Sequence, residues 1–111
     1  MTITEFAGAI PGLSALSQAE KIKLFGYFLH RYKSVARFTT RHLRECFSTL
    51  HLHAPESFSS FLKSLQTRSP RAVLKDASGY YLERRVLESF DRKFQSPALA
   101  NVSFADLATI T

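Results

Sequence analysis

The chain has 111 residues, of which 45% are hydrophobic, and it carries a formal net charge of +6 at pH 7. This length accommodates one compact domain and excludes two of ordinary size, while the apolar content excludes a chain that is disordered throughout. The excess of positive charge predicts association with polyanions.

The single cysteine and the N-terminal sequence indicate a compartment. Cys46 cannot form a disulfide within the chain, as expected for a protein in a reducing environment. The N-terminal segment lacks the basic start and the long apolar block of a signal peptide. No apolar run approaches the roughly 20 residues that a membrane-spanning helix needs. We therefore predict a cytoplasmic protein that does not enter a membrane.

Residues 17–94 are predicted to form the domain, with an N-terminal arm at residues 1–16 and a C-terminal tail at residues 95–111. Gly8 and Pro11 lie among the apolar residues of the first segment, which predicts an irregular arm that docks on the body or on a partner. The tail is also apolar and has one charged residue. Because solvated tails rarely carry so much apolar surface, we expect a protein partner or a homodimer that forms through both arms.

Two helices are predicted in the first half of the chain. Ser17 followed by Glu20 is the signature of a capping box, so the first helix is expected to begin there. Gly26 lies inside this helix, and we interpret it as a site of close helix–helix approach. A short strand stub is predicted at residues 34–38, after which Thr39 is expected to cap the second helix.

A third helix is predicted at residues 58–68, beginning between Pro55 and Ser57. Its apolar side chains recur at helical spacing and predict a stripe that faces the core, made of Phe58, Phe61, Leu62 and Leu65. Two short apolar runs follow, joined by the sequence Asp-Ala-Ser-Gly at residues 76–79, which predicts a hairpin with a four-residue turn.

The second strand of this hairpin contains Tyr80 and Tyr81, which alternate, so one is expected to face inward and the other outward. The outward tyrosine is predicted either to stack on a base or sugar or only to cover the hairpin. A fourth helix is predicted at residues 83–94, with Val86, Leu87, Phe90 and Phe94 facing inward. The predicted core comprises Ile22, Phe25, Phe28, Leu29, Leu43, Phe47, Leu50, Phe61, Leu62, Leu65, Leu82 and Leu87.

Positive charge is concentrated around the third helix and the hairpin. No carboxylate occurs from residue 58 through residue 75, whereas four cations do, namely Lys63, Arg68, Arg71 and Lys75. A polar helix followed by a basic hairpin predicts a surface for an anionic partner, and nucleic acid is the commonest such partner.

The order helix, strand stub, helix, turn, helix, hairpin, helix resembles a winged helix-turn-helix domain over residues 17–94. The resemblance implies a mainly α fold with a two-stranded β-hairpin wing and an extra C-terminal helix. In that family the third helix enters the major groove of DNA and the wing contacts the DNA beside it. Carried onto this chain, the implied recognition face comprises Ser59, Ser60, Lys63, Ser64, Gln66 and Thr67.

The resemblance implies further contacts with the DNA backbone. Those from the wing are Arg71, Lys75 and Ser78. Those from the start of the second helix are Thr39, Thr40 and Arg41. Together with Arg68 at the end of the third helix, these residues complete the predicted nucleic-acid-binding surface.

Two other groups of side chains receive a structural interpretation. His42 and Cys46 stand four residues apart, with further histidines nearby, as zinc ligands can. Cys46 lies on the apolar stripe of its helix, however, so we interpret it as a core residue and predict no metal site. The serines near His53 lack an acid that would complete a catalytic triad, and no nucleophile-elbow motif is present. We therefore predict no enzymatic activity and no cofactor.

Two functional hypotheses remain open. The first is a small basic protein that binds duplex DNA, as a transcription regulator or an accessory factor of a nucleoprotein assembly. The second is a winged-helix module that binds another protein through its apolar tails. The positive charge favours the first hypothesis, and the serine-rich helix face and apolar tails favour the second.

Overall fold

The computed structural model describes residues 2–94, so the predicted C-terminal tail lies outside the described residues. Within them the fold is mainly helical with one two-stranded antiparallel hairpin, as predicted, and this arrangement is compatible with a winged helix. In chain order the elements are α1 (Ile3–Gly8), a 3-10 turn (Leu13–Ala15), α2 (Gln18–Tyr32), α3 (Thr40–Thr49), α4 (Phe58–Thr67), β1 (Val73–Asp76), β2 (Gly79–Leu82) and α5 (Arg84–Phe94). None of the helices in this part of the chain is long and apolar enough to cross a membrane.

The N-terminal arm is helical and packs on its own chain, so the prediction of an irregular arm is wrong. The Thr2 hydroxyl accepts a hydrogen bond from the Glu5 N–H at 3.1 Å, and the Glu5 carboxylate accepts one from the Thr2 N–H at 2.8 Å. This capping box starts α1, and Gly8 only ends it. Phe6 and Leu13 are buried in the core of the same chain.

α2 begins where predicted, although only one of the two hydrogen bonds of a capping box is present. The Ser17 hydroxyl accepts a hydrogen bond from the Glu20 N–H at 3.2 Å. The Glu20 carboxylate does not return to Ser17 and instead pairs with Lys23 at 2.6 Å. An acid in the first helical turn still faces the positive end of the helix dipole.

α3 and α4 are also capped by side-chain hydroxyls. The Thr39 hydroxyl accepts from the His42 N–H at 3.4 Å, and His42 Nδ1 accepts from the Thr39 N–H at 3.0 Å, so a histidine replaces the usual glutamate of a capping box. Ser57 caps α4. This helix therefore begins at Phe58, the first residue of the predicted range 58–68, and the serine, not Pro55, supplies the start signal.

Gly26 permits a close approach, as predicted, but the neighbour is not a helix. A Cβ atom at Gly26 would lie 2.9 Å from Cε2 of Phe38 and 3.4 Å from Cδ2 of Leu82. Phe38 belongs to the predicted strand stub and forms a two-way backbone bridge with Tyr80, each N–H···O distance being 2.9 Å. The glycine thus lets the stub and the hairpin pack directly on α2.

The hairpin turn is tighter than the four-residue turn predicted. Asp76 pairs with Gly79 in the ladder, which leaves only Ala77 and Ser78 in the connection. The Asp76 carboxylate accepts a hydrogen bond from the Ser78 N–H at 2.8 Å. Gly79 has a φ of +145°, and a Cβ there would lie 2.8 Å from the Phe38 carbonyl oxygen. Glycine is therefore required for the turn and for the bridge to the strand stub.

The core contains most of the predicted side chains. The predicted members that are buried are Ile22, Phe25, Phe28, Leu29, Leu43, Phe47, Leu62, Leu65 and Leu82. Leu50, Phe61 and Leu87 are half-buried at its edge, so the prediction is wrong in degree for these three. In α4 the buried stripe is centred on Phe58, Leu62 and Leu65, which leaves Phe61 at its margin.

α5 packs on the outside of the domain through aromatic contacts. Its inward side chains Val86, Leu87, Phe90 and Phe94 contact the core but are only half-buried. The Phe90 ring lies 5.4 Å from that of Tyr27, centroid to centroid, as is common for aromatic pairs. The prediction that these four side chains face inward is correct.

Candidate nucleic-acid interface

α4 and the hairpin are joined by backbone hydrogen bonds. The Ala72 N–H donates to the Leu65 carbonyl at 3.0 Å, and the Glu83 N–H donates to the Ala72 carbonyl at 2.9 Å. Ala72 itself is buried, as is Val73 at the start of β1. The end of α4 and the base of the hairpin therefore form adjoining parts of one surface.

His30 fixes the other side of the hairpin to α2. The Leu82 N–H donates to Nε2 of His30 at 3.2 Å, so the ring proton resides on Nδ1 and is donated to the Val35 carbonyl at 2.7 Å. Burial lowers the pKa of His30 below its usual value, despite the hydrogen bond to Val35. A neutral imidazole thus connects α2, the strand stub and strand β2.

Arg37 reaches the hairpin from the strand stub. Its Nε lies 2.7 Å from Oδ2 of Asp76, and this hydrogen bond is the main reason that the pKa of the Asp76 carboxyl is lowered. The guanidinium carbon also lies 4.0 Å from the centroid of the Tyr81 ring, within cation–π distance. Arg37 therefore covers one tyrosine and pairs with the residue that shapes the turn.

Tyr80 and Tyr81 are both half-buried, so the predicted division into one inward and one outward ring is wrong in degree. The Tyr80 ring stacks on that of Phe38 at 6.2 Å, and Lys75 Nζ lies 5.3 Å from its centroid. Arg37 covers the ring of Tyr81. Both rings therefore have partners within the hairpin and the strand stub.

The predicted recognition face of α4 is largely open to solvent. Ser59, Ser60, Lys63 and Thr67 are exposed, and Ser64 and Gln66 are half-buried. Two of the hydroxyls are engaged within the helix: Ser60 Oγ lies 3.1 Å from Ser57 Oγ, and Thr67 Oγ1 donates to the Lys63 carbonyl at 3.0 Å. Lys63 and Gln66 are left as the long side chains that reach outward.

The four predicted cations of this region, Lys63, Arg68, Arg71 and Lys75, are all exposed. Within residues 2–94 none of them forms an ion pair. Five cations elsewhere in this range pair with carboxylates, namely Lys23, Arg31, Arg37, Arg41 and Arg84. The other exposed cations outside this region that form no ion pair within residues 2–94 are Lys33, Arg44, Arg85, Arg92 and Lys93. The positive charge of α4 and the hairpin is therefore not neutralised by neighbouring acids.

The start of α3 lies beside the hairpin, because Thr39 directly follows the Phe38 bridge. The Thr39 hydroxyl is occupied by its cap, and Thr40 is half-buried. Arg41 is exposed, with its Nε 3.8 Å from Glu45. Of these three predicted phosphate contacts, only Arg41 offers a long cationic side chain. Ser78 is exposed in the turn of the hairpin.

Cys46 is buried among apolar side chains, which confirms its interpretation as a core residue. Burial raises the pKa of its thiol to about 11, so the thiol is protonated at neutral pH. His42 is engaged in the cap of α3. In the described part of the chain, no three His, Cys, Asp or Glu side chains are arranged to hold a metal ion.

The chain matches no protein-family model, and no curated protein or solved structure is significantly similar to it. The resemblance to a winged helix accordingly rests on the order of the elements and the pairing of the hairpin. A functional assignment must come from the side chains themselves.

Proposed function

We propose that this protein binds duplex DNA through α4 and the hairpin, which acts as a wing. The observation that carries the proposal is the group of exposed cations without acidic partners in residues 2–94, namely Lys63, Arg68, Arg71 and Lys75. Lys63 lies on α4, Lys75 lies on β1, and the two arginines lie in the connection between these elements. Ala72 joins the end of α4 to the base of the hairpin. Phosphate contacts from such cations provide most of the affinity of basic proteins for DNA.

The anchored hairpin supports the same proposal. The Phe38 bridge, the His30 hydrogen bond and the Arg37 pair attach the hairpin at its strands and at its turn. A contact surface whose backbone is already fixed loses less conformational entropy on binding than a mobile loop does. The backbone of the proposed wing is thus already fixed before DNA binds.

The proposed binding is dominated by phosphate and has weak sequence preference. The exposed face of α4 has no arginine or asparagine, the side chains that read guanine and adenine with paired hydrogen bonds. Lys63 and Gln66 are its two long polar side chains. A role as an accessory factor or regulator within a nucleoprotein assembly fits such binding. We place this activity in the cytoplasm because Cys46, the single cysteine, has no disulfide partner in the chain.

Binding to random-sequence duplex DNA at two salt concentrations tests the proposal. Four phosphate contacts predict a slope of about −3.6 for log affinity against log salt, or a loss of about 100-fold between about 50 and 200 mM salt. The double variant Arg71→Ala/Lys75→Ala is expected to bind all sequences more weakly and to flatten this slope by about 2 units.

Arg92→Ala/Lys93→Ala is the matched control, because it removes the same charge from exposed positions on α5. It is expected to retain a slope close to that of the parent. Equal slopes for the parent and Arg71→Ala/Lys75→Ala would refute the proposed surface. A parent that does not bind duplex DNA at either salt concentration would favour the alternative, a module that binds another protein.

A further inference from the structure

A cavity of about 600 Å³ lies between α2, the loop after α4, strand β1 and α5. Leu74, Val86 and Phe90 supply apolar walls, together with Pro70. The first three are half-buried, so their remaining exposed surface faces this space or the solvent at its mouth. Small-molecule sites commonly have volumes of about 300–1,000 Å³ and a predominantly apolar lining with a few polar groups.

The acidic side chains around the cavity have hydrogen-bond or ion-pair partners, whereas its two arginines form no ion pair within residues 2–94. Glu20 pairs with Lys23 at 2.6 Å, and the Glu83 carboxylate accepts a hydrogen bond from the Arg85 N–H at 2.7 Å. The guanidinium groups of Arg71 and Arg85 are exposed and have no ion-pair partner within residues 2–94. The two acids at the rim are thus already engaged, whereas the two guanidinium groups still offer donors to a ligand.

We propose that this cavity binds a small amphipathic organic anion. Its aromatic or branched aliphatic body lies against Leu74, Val86 and Phe90, and its carboxylate or sulfonate group is held by Arg85 and Arg71. Guanidinium groups suit such anions because two parallel N–H donors match two acceptor oxygens. The apolar body gains from leaving water for a cavity that the protein alone fills incompletely.

This site is distinct from the proposed DNA surface, with which it shares only Arg71. Arg85, Val86 and Phe90 come from α5, which contributes nothing to the proposed DNA contacts. Arg71 is therefore left unchanged in the test. Ligand binding is measured without DNA, so failure of either proposal leaves the other standing.

Fluorescence titration of the full chain with 8-anilinonaphthalene-1-sulfonate tests the proposal. The neutral probe N-phenyl-1-naphthylamine has the same aromatic body without the sulfonate. We expect saturable one-to-one binding of the anionic probe, and binding of the neutral probe that is weaker by about tenfold, near the lower end of the range for charged hydrogen bonds. Arg85→Ala should lower the affinity for the anionic probe by a similar factor and leave the affinity for the neutral probe unchanged.

Arg84→Ala is the matched control, because Arg84 is the exposed neighbour that pairs with Glu88 and does not line the cavity. It should change the affinity for the anionic probe by less than about twofold, since exposed charges outside the site are screened by salt. Ser89→Phe places a ring at an exposed residue of the cavity wall and should abolish binding of both probes. Cooperative urea unfolding of each variant excludes binding to a partly folded state.

Two results would overturn the proposal. One is the absence of saturable binding of the anionic probe up to about 1 mM, a concentration at the weak end of specific affinities. A cavity filled by residues 95–111 would give this result. The other is equal weakening by Arg84→Ala and Arg85→Ala, because the probe would then respond only to net charge. If Ser89→Phe fails to fold, the comparison of Arg85→Ala with Arg84→Ala still tests the proposal. The proposal stands only if Arg85→Ala weakens binding of the anionic probe more than Arg84→Ala does.

Discussion

The protonation state of His30 bears directly on how the hairpin is attached to α2. Its neutral ring accepts from the Leu82 N–H and donates to the Val35 carbonyl, and only one tautomer permits both bonds. A proton on Nε2 would remove the acceptor for Leu82 and place a charge in a partly buried site that Arg31 and Arg37 also face. The folded protein therefore disfavours the charged form of His30.

Acidification is predicted to destabilise the protein through His30. Because its pKa is lower in the folded than in the unfolded chain, the unfolded chain binds the proton first as pH falls below about 6.5. The free energy of unfolding should then fall by at most about 1.4 kcal/mol per pH unit from this group. Urea unfolding between pH 7.5 and pH 5, at values chosen around the ordinary histidine pKa, measures this fall.

Two substitutions test whether His30 causes the fall in stability at low pH. His30→Gln should lower stability at neutral pH but flatten its dependence on pH, whereas His53→Gln, at an exposed histidine, should leave that dependence unchanged. An equally steep fall in His30→Gln would mean that other groups are responsible. The paired carboxyls Asp76 and Asp91 act in a separate window, because their lowered pKa values place their loss of stabilisation below pH 3.8.

At the scale of elements, α5 is attached to α2 by one polar group as well as by its aromatic rings. Asp91 Oδ1 accepts from the Tyr27 hydroxyl at 3.1 Å and from Arg31 Nε at 2.9 Å, and Oδ2 accepts from Arg31 Nη2 at 2.6 Å. The ion pair is partly exposed, and such pairs contribute little by themselves. Tyr27 is buried, however, so the loss of its acceptor would leave a buried hydroxyl without a partner.

Asp91→Ala is expected to lower the free energy of unfolding by about 1–2 kcal/mol, the cost of that unsatisfied hydroxyl. Glu88→Ala removes a carboxylate from the exposed pair with Arg84 on the same helix and should cost less than about 0.5 kcal/mol. Urea unfolding compares the two variants, and hydrogen exchange should locate the effect of Asp91→Ala in α5. Equal losses would mean that the bond from Tyr27 contributes nothing.

The elements differ in how far the sequence predicts them, and the reason is the range of the interactions involved. α2 and α4 follow from apolar spacing and from Ser17 and Ser57, all within a few residues of each other. The attachment of the hairpin could not be predicted in this way, because Arg37 meets a partner 39 residues away and His30 one 52 residues away. The exposed cations of the candidate site were predictable, since an absence of acids is visible in the sequence itself.

At the scale of the whole molecule, the N-terminal arm packs against both α2 and α5 and so belongs to the same folded unit. The Phe6 ring lies 5.3 Å from that of Phe28 in α2 and 5.8 Å from that of Phe94 in α5, centroid to centroid. One side chain thus connects three helices. The expectation that the N-terminal arm joins two chains must account for the burial of Phe6 and Leu13 in their own chain. The same expectation for the C-terminal tail concerns residues 95–111, which lie outside the described residues.

Phe6→Ala is expected to lower the free energy of unfolding by about 3–5 kcal/mol, as the removal of a buried ring usually does. Ile3→Ala, at a half-buried position in the same helix, should cost about 1 kcal/mol and serves as the control. Urea unfolding at several protein concentrations measures both losses, and sedimentation gives the number of chains. If the arm packs on its own chain, the midpoint of the parent does not depend on concentration. A midpoint that rises with concentration in the parent but not in Phe6→Ala would instead show that the arm stabilises a dimer, because association then contributes to the stability that is measured.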